Sequence, residues 1–205
     1  MRITGGTVRG RKLAHLKGAG EIIRPTSDRV REALFNILGS KVINSKILDL
    51  YAGTGALGIE ALSRDAEFVV FIDQSKEAAH LIHANLLTCF PQPKASFIHH
   101  RLPTPHIRHQ LDKKFFPHIT FDLIFMDPPY RQGLAEQTLH MVADAHLLAP
   151  EGTILVEEHR SVQLPKHIGI LMQTDHRQYG ETALWMYGIP DKKQTKTCKK
   201  SNSNH

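Results

Sequence analysis

The chain has 205 residues, of which 41% are hydrophobic and 22% charged, a composition typical of a globular protein with one well-buried domain. No stretch approaches the roughly 18 consecutive apolar residues that span a bilayer, and the first residues lack the apolar core of a secretion signal. Two cysteines exclude a disulfide framework, and their neighbours lack zinc-ligand spacing. We therefore expect a cytoplasmic protein without a membrane segment.

The net charge of +6 is divided unevenly along the chain. Residues 1–46 contain 10 Lys and Arg against 3 Asp and Glu, residues 47–189 contain 11 against 16, and residues 190–205 contain 5 against 1. Basic ends around an acidic middle suit a polyanion held by the ends and a different ligand held in the middle. We expect a basic N-terminal extension, a central domain and a disordered basic tail in these three ranges, since the tail has no apolar face to bury.

An N-terminal β-hairpin followed by a helix is predicted before residue 46. Residues 2–13 contain two short β-prone runs around Gly5 and Gly6, which provide the turn. The second run contains three basic residues, Arg9, Arg11 and Lys12. The two arginines share one face of the predicted strand because side chains alternate along a strand. Thr26 or Ser27 is expected to cap the helix, whose apolar residues recur at helical spacing.

From residue 47 onwards, short apolar runs alternate with helical stretches. The predicted strands are 47–51, 68–73, 95–99, 121–126 and 153–157, and the predicted helices lie near 56–63, 75–88 and 134–148. Prolines interrupt residues 100–120, which receive no predicted element, and residues 168–178 and 182–189 are predicted as an antiparallel hairpin. This alternation predicts an α/β fold with a doubly wound, mostly parallel, seven-stranded sheet, preceded by the hairpin and helix extension.

A glycine-rich turn follows the strand predicted at 47–51. Gly53, Gly55 and Gly58 satisfy the dinucleotide fingerprint, and Asp73 ends the next strand 20 residues beyond Gly53. Such glycines let the backbone approach a ligand, and such an acid can accept hydrogen bonds from ribose hydroxyls. Both features serve NAD and S-adenosylmethionine equally. The candidate cofactor-binding residues of this region are Asp49, Tyr51, Ala52, Gly53, Gly55, Asp73 and Gln74.

Asp49 favours one of these two cofactors. Its carboxylate is expected at the rim of the pocket, where it would repel a pyrophosphate and attract the ammonium and sulfonium groups of S-adenosylmethionine. The alternative role for Asp49 is to hold the glycine turn through hydrogen bonds to backbone amides. Contact with the ligand is the favoured interpretation, because this switch point often serves ligands.

The strand predicted at 121–126 runs directly into Asp127, Pro128, Pro129 and Tyr130. The prolines fix φ and lack amide hydrogens, so the carbonyls of this tetrapeptide are held in one direction. The Asp127 carboxylate and the Pro128 carbonyl can accept the hydrogens of a planar exocyclic amine, and the Tyr130 ring can stack on a flipped-out base. The alternative, a rigid proline turn with Tyr130 in the core, is disfavoured by the glycine turn and the ribose acid that precede it. No metal is required, and none of the 14 histidines has the pattern of a metal site.

Four segments of the chain carry a resemblance to a known family: residues 3–13, 24–32, 49–64 and 127–134. In order and composition they resemble the RsmD family of 16S ribosomal RNA guanine-N2 methyltransferases, and the resemblance covers about residues 2–189. The last two segments alone would also suit adenine methyltransferases. The first two are more specific, because they precede the catalytic region.

The resemblance implies methylation, from S-adenosylmethionine, of the N2 amine of guanine 966 in the family's substrate numbering. The implied partner is the small ribosomal subunit or its assembly intermediate, and we expect a monomer. By resemblance, the cofactor is held by Asp49, Gly53, Gly55 and Asp73, the guanine by Asp127 to Tyr130, and the RNA by the basic hairpin, with Arg24, Thr26 and Arg29 at the entrance.

The end of the third strand of the central domain departs from the family. The family often has a small polar or acidic residue followed by Ala there, whereas this chain has His99-His100-Arg101-Leu102. We therefore expect a backbone amide near Arg101 or Leu102 to contact the adenine ring of the cofactor.

Three other functions remain open at this point. A DNA adenine-N6 methyltransferase could use the same Asp-Pro-Pro-Tyr tetrapeptide, although the short chain shows no sequence-reading domain. An NAD-dependent dehydrogenase could use the glycine fingerprint. A ribosome-assembly binder without activity could keep the fold, although the intact tetrapeptide argues against it.

Overall fold

The computed structural model describes residues 1–15 and 28–190. Its helices are α1 (Asp28–Leu38), a 3-10 helix (Gly39–Val42), α2 (Ala56–Ser63), α3 (Lys76–Cys89), α4 (Ile107–Lys114) and α5 (Leu134–Asp144). Its strands are β1 (Lys46–Leu50), β2 (Phe68–Asp73), β3 (Ala95–His99), β4 (Phe121–Met126), β5 (Leu148–His159), β6 (His167–Ile168), β7 (Leu171–Tyr179) and β8 (Thr182–Gly188). The predicted residues Arg24 and Thr26 and the predicted tail from residue 191 lie outside the described residues.

The strands form one sheet in the order β3-β2-β1-β4-β5-β8-β7-β6. The first five strands pair in parallel, and β8, β7 and β6 are added antiparallel. The predicted α/β class and mostly parallel sheet are confirmed. The sheet has eight strands rather than seven, because the predicted strand 168–178 is split by a turn at Gly169, whose φ is +55°.

Two other boundaries differ from the sequence prediction. The helix predicted to reach residue 148 ends at Asp144, because Leu148 pairs with Phe121 and opens β5. That strand runs from Leu148 to His159 and is therefore longer than the predicted 153–157. The proline-interrupted region 100–120 contains helix α4, whose buried Ile107 and Leu111 pack against the sheet.

The predicted N-terminal hairpin is present as a short antiparallel pairing: Arg2 and Lys12 form a bridge, the Ile3 amide donates to the Arg11 carbonyl at 3.0 Å, and the Leu13 amide donates to the Met1 carbonyl at 3.2 Å. Residues 5–10 form bends and turns, so the predicted second strand is limited to the residues around Lys12, and the connection is longer than the predicted two-glycine turn. The physical reason is a competing partner, since the Thr7 amide donates to the Ser63 carbonyl at 2.6 Å. The middle of the segment is therefore tied to the end of α2, and Arg9 lies in a turn instead of sharing a strand face with Arg11.

Two apolar cores cover the two faces of the sheet. One lies under α4 and α5. The other contains residues of α2 and α3 together with Ile3 and Leu13 of the N-terminal segment and Leu34 and Phe35 of α1. The N-terminal segment and α1 are thus packed on the same face of the sheet as the helix that follows the glycine turn.

The chain reverses its winding direction between β1 and β4. These strands are neighbours, with β2 and β3 beyond β1 and β5 beyond β4. In open α/β sheets, ligands bind beyond the carboxyl ends of the strands at such a switch point. The glycine turn after β1 and the tetrapeptide after β4 lie at that point. Within the described ranges, no helix has the length and apolar character needed to cross a bilayer.

Candidate active site

The turn between β1 and α2 is built from left-handed backbone. Tyr51, Gly53 and Gly55 have φ values of 60°, 53° and 77°. The Gly55 amide donates to the Ala52 carbonyl at 2.7 Å, which closes the turn. A Cβ at Gly55 would lie 2.9 Å from Ile82 Cγ1, so both conformation and space require glycine there.

Gly58 brings α2 close to the sheet. A Cβ at this position would lie 2.3 Å from Phe71 Cε1, inside the van der Waals contact distance. Every residue of α2 is buried. The helix begins at Ala56, directly after the turn, and its amino end therefore lies near the carboxyl ends of β1 and β2.

Asp73 ends β2 and faces the glycine turn. Its Oδ2 accepts from the Gly53 amide at 2.8 Å, and its Oδ1 accepts from the Ser75 amide at 2.9 Å. The residue is half-buried, and each carboxylate oxygen has a second lone pair. The structure thus brings the predicted ribose acid and the predicted glycine turn into direct contact.

Asp49 is more deeply placed than the expected pocket rim. It is 2% exposed, and its Oδ2 accepts from the Gly58 amide at 3.0 Å. Burial raises the pKa of Asp49 to about 8, with the Gly58 hydrogen bond opposing this and the Asp73 charge adding to it. This shift favours the neutral carboxyl, and a bound cation would favour its ionised form. The hydrogen bond is the turn-holding role weighed in the sequence analysis, and contact with a cofactor stays a prediction.

The remaining residues predicted to bind the cofactor lie in or near the glycine turn and differ in their contacts and exposure. The Tyr51 hydroxyl is 2.6 Å from Thr138 Oγ1 of α5, so its side chain is directed at α5. The Ala52 amide donates to the Ile72 carbonyl at 3.2 Å, which fixes the turn against β2. Gln74 and Arg101 are exposed and Leu102 is buried. The His100 amide donates to the Asp73 carbonyl at 2.9 Å, so the chain after β3 starts beside the ribose acid.

The Asp-Pro-Pro-Tyr tetrapeptide follows β4 at the next position along the sheet. The Asp127 amide donates to the Leu50 carbonyl at 3.4 Å, which places Asp127 beside the end of β1. Asp127 is half-buried, Pro128 is buried and Pro129 is exposed. The glycine turn, Asp73 and the tetrapeptide therefore occupy the carboxyl ends of three adjacent strands.

The Tyr130 ring is anchored through its hydroxyl. The hydroxyl donates to Glu157 Oε1 at 2.5 Å and lies 3.3 Å from Thr182 Oγ1. Burial and the nearby Glu157 carboxylate raise the pKa of Tyr130 above its usual value, so the hydroxyl stays protonated as a donor. The ring is half-buried and meets His159 edge to face, with centroids 6.3 Å apart.

Sequence reasoning missed the two glutamates that hold this region. Glu157 and Glu158 are 3% and 1% exposed, and they follow the buried apolar run Ile154, Leu155 and Val156 of β5. Glu158 Oε1 accepts from the Arg131 amide at 3.1 Å and fixes the residue after Tyr130, whose φ is 61°. The sequence does place two adjacent acids at the end of a predicted buried strand. This pattern could have indicated that they hold neighbouring groups, because buried acids need hydrogen-bond partners.

The predicted RNA-binding residues of the N-terminal segment are at the surface. Arg9, Arg11 and Lys12 are exposed, as is Arg29 of α1. The segment is attached to α2, where Glu60 Oε2 accepts from the Thr4 amide at 2.7 Å. The basic residues are therefore carried on a segment fixed to the helix that starts at the glycine turn.

A cavity of about 720 Å³ between α4 and α5 is separate from these residues. Its lining includes Arg108, His140 and Met141 and none of the predicted site residues. In residues 1–15 and 28–190, no three His, Cys, Asp or Glu side chains are grouped so that they could hold a metal ion.

Comparisons with known proteins agree with this arrangement. A family model described as "Conserved hypothetical protein 95" matches residues 1–188. Ribosomal RNA small subunit methyltransferase D of Escherichia coli (strain K12) is 39% identical over 165 residues, which cover 80% of this chain and 78% of that protein. The protein of the same name from Haemophilus influenzae is 37% identical over 164 residues, covering 80% of this chain and 81% of that protein.

The fold is also that of solved structures. The structure of yhhF from Escherichia coli has a TM-score of 0.76 and 33% identity, covering 92% of this chain and 97% of that chain. A hypothetical protein from Thermus thermophilus has a TM-score of 0.73 and 28% identity, covering 92% of this chain and 99% of that chain. These similarities confirm the Rossmann-like fold class that the sequence predicts.

Proposed function

Because this chain belongs to the family described as conserved hypothetical protein 95, the RsmD family, we propose that it transfers a methyl group from S-adenosylmethionine to ribosomal RNA. The acceptor is the exocyclic N2 amine of a guanine in 16S rRNA, guanine 966 by family resemblance. One observation carries the proposal: the glycine turn, Asp73 and Asp127-Pro128-Pro129-Tyr130 lie at the carboxyl ends of adjacent strands at the switch point.

The residues around the glycine turn fit S-adenosylmethionine. Within the described part of the chain, a Cβ at Gly53 would meet only the Tyr51 carbonyl, 3.9 Å away, so there is open space above the turn. Asp73 beside it can accept hydrogen bonds from the ribose hydroxyls, and the Asp49 carboxyl favours a cationic ligand. When bound, the cofactor supplies an electrophilic methyl group on a sulfonium. The chain supplies the binding surface, with a backbone amide near Arg101 or Leu102 for the adenine ring.

The tetrapeptide orients the acceptor amine. The Asp127 carboxylate and the Pro128 carbonyl accept the two amine hydrogens, so that the nitrogen lone pair is directed toward the glycine turn. The nitrogen would take the methyl group that the cofactor supplies and would lose one of its protons along the hydrogen bond to the Asp127 carboxylate. Positioning of this kind supplies most of the rate enhancement in our proposal.

The Tyr130 ring holds the base that carries this amine. Stacking of a base on an aromatic ring contributes about 1–3 kcal/mol. Glu157 and Thr182 hold the hydroxyl, which fixes the ring plane before the base arrives. This preorganisation lowers the entropy lost when the guanine binds.

We propose residues 1–46 as the RNA-binding extension, with Arg9, Arg11, Lys12 and Arg29 toward the phosphate backbone and Arg24 and Thr26 at the entrance. The central domain is then residues 47–189, followed by a basic tail. The substrate is the small ribosomal subunit or its assembly intermediate in the cytoplasm, and the enzyme acts as a monomer. The two relatives that carry small-subunit rRNA in their names support this choice over DNA.

Calorimetry tests the cofactor assignment. We expect the purified protein to bind S-adenosylmethionine in preference to NAD, and Asp73→Ala to weaken that binding by about 1–3 kcal/mol through lost charge-assisted hydrogen bonds. The matched control is Glu67→Ala, an exposed acid directly before the other end of β2, which should leave the affinity unchanged. Tighter binding of NAD would contradict the function, and an unchanged affinity in Asp73→Ala would contradict the assignment of the ribose acid.

Salt dependence tests the N-terminal segment. If Arg9 and Arg11 contact phosphates, replacing both by Ala should lower the affinity for small-subunit particles and reduce the log–log salt slope by about two. Binding of S-adenosylmethionine should not change. Lys113→Ala with Lys166→Ala removes two exposed charges elsewhere and serves as the control. A double Arg variant with the wild-type slope would show that this segment does not hold the RNA.

A further inference from the structure

Asn85 of α3 joins two parts of the molecule that are distant in sequence. Its Oδ1 accepts from the Ala14 amide at 2.7 Å, and its Nδ2 donates to the Ala14 carbonyl at 3.1 Å. The same Nδ2 donates to the Thr54 carbonyl at 3.0 Å. One amide group thus bonds the N-terminal segment and the glycine turn at once.

The Asn85 side chain has little freedom to move. The residue is 1% exposed, and its three hydrogen bonds leave no polar atom of the amide without a partner. Reversal of the amide would set an NH2 group against the Ala14 amide and an oxygen against two carbonyls. The pairing with Ala14 therefore fixes which end of the amide faces Thr54.

Thr54 is the residue of the glycine turn to which Asn85 is hydrogen-bonded. It lies between Gly53 and Gly55, two glycines with left-handed backbone and no side chain to restrict them. Its carbonyl is the point at which α3 holds this segment. The Gly53 amide on the other side is held by Asp73. The turn is thereby fixed from both sides.

We propose that Asn85 is a positioning residue for the cofactor-binding turn and that Ala14 orients its amide. The N-terminal segment is then part of the support of the cofactor site as well as a surface for RNA. This inference rests on the proposed function, in which Gly53 to Gly55 contact S-adenosylmethionine. It predicts that a change at Ala14 weakens cofactor binding, although Ala14 itself is exposed and precedes α1.

The first test separates a positioning role from a loss of stability. Asn85→Ala should raise both the Kd and the KM for S-adenosylmethionine about tenfold, since it removes the hydrogen bond to the turn. It should leave kcat at saturating substrates within about twofold of the wild-type value. Leu86→Ala is the matched control, because Leu86 is buried in the next position of the same helix and its apolar side chain cannot hydrogen-bond to the turn. It should lower Tm and leave the Kd unchanged. Equal Kd values in Asn85→Ala and wild type would overturn the proposal.

The second test addresses Ala14. Ala14→Pro removes the amide hydrogen that Asn85 Oδ1 accepts, and its ring also fixes φ at this position and restricts Leu13. It should raise the Kd for S-adenosylmethionine about threefold in calorimetry without RNA. Combined with Asn85→Ala, it should add nothing further, since both act through one amide. Full additivity, or no effect of Ala14→Pro, would overturn the role of Ala14. Asp73→Ala is measured alongside to separate failure of this inference from failure of the proposed function. If Asp73→Ala also binds S-adenosylmethionine with wild-type affinity, the cofactor site itself is elsewhere.

Discussion

Asp127→Ala is expected to slow methyl transfer by about 10³-fold while the Kd for S-adenosylmethionine stays within a few-fold of wild type. The reason is geometric, because Asp127 lies after β4 beside the end of β1 and accepts a hydrogen of the acceptor amine in the proposed complex. The glycine turn and Asp73, which hold the cofactor in our proposal, are untouched by the change. Single-turnover transfer of a labelled methyl group to small subunits measures the rate, and calorimetry measures the affinity.

Asp127→Asn is the informative companion to this variant. It keeps one acceptor oxygen and the shape of the side chain, so it should retain more activity than Asp127→Ala. A rate close to wild type in Asp127→Ala would contradict the role of the tetrapeptide. A large loss of cofactor affinity would place Asp127 in the cofactor site rather than at the base.

Glu60→Ala is expected to lower the free energy of unfolding by about 3–5 kcal/mol. Glu60 is fully buried, and its two oxygens accept from the Thr4 amide at 2.7 Å, the Gly5 amide at 2.7 Å and the Thr4 hydroxyl at 2.8 Å. It also pairs with the buried Arg31 at 3.4 Å and with Arg64 at 2.9 Å. Its removal leaves the Arg31 guanidinium buried without this carboxylate and releases the N-terminal segment from α2.

The matched control for Glu60 is Asp28→Ala. Asp28 pairs with the same Arg31 at 2.9 Å, but its side chain is 51% exposed. Because solvent screens the half-exposed Asp28 carboxylate, this variant should lose clearly less stability than Glu60→Ala. Urea denaturation followed by circular dichroism compares the two. A loss below about 1 kcal/mol in Glu60→Ala would show that the N-terminal segment is held by its apolar contacts alone.

The parallel part of the sheet could be predicted from sequence for a physical reason. Strands β1, β2 and β4 are buried on both faces, so each reads as a mostly apolar run, as at Leu48, Val70 and Ile124, with Asp49 and Asp122 as the acids within β1 and β4. The glycine turn and the tetrapeptide follow directly from these runs. Their proximity then follows from the rule that the carboxyl ends of parallel strands share one edge of the sheet.

What could not be predicted depends on contacts between residues distant in sequence. The N-terminal hairpin is shorter than predicted because Thr7 bonds to Ser63, which local β propensity does not reveal. Glu60, Asn85 and Glu157 look like ordinary polar residues in the sequence, and only their burial shows what they support. Asp49 is similar, since its pKa near 8 is set chiefly by its depth in the fold. These residues hold the site without carrying a recognisable motif.

The most direct test of the central claim is a mass-spectrometric map of methylated nucleotides in 16S rRNA. Small subunits from cells that lack this protein would be incubated with the purified protein and labelled S-adenosylmethionine, with Asp127→Ala as the inactive control. We predict one labelled guanine, methylated on N2 and located at position 966 of the family's numbering, and no label with the variant. Label on an adenine N6 amine, or no label on 16S rRNA with the wild-type protein, would contradict the account.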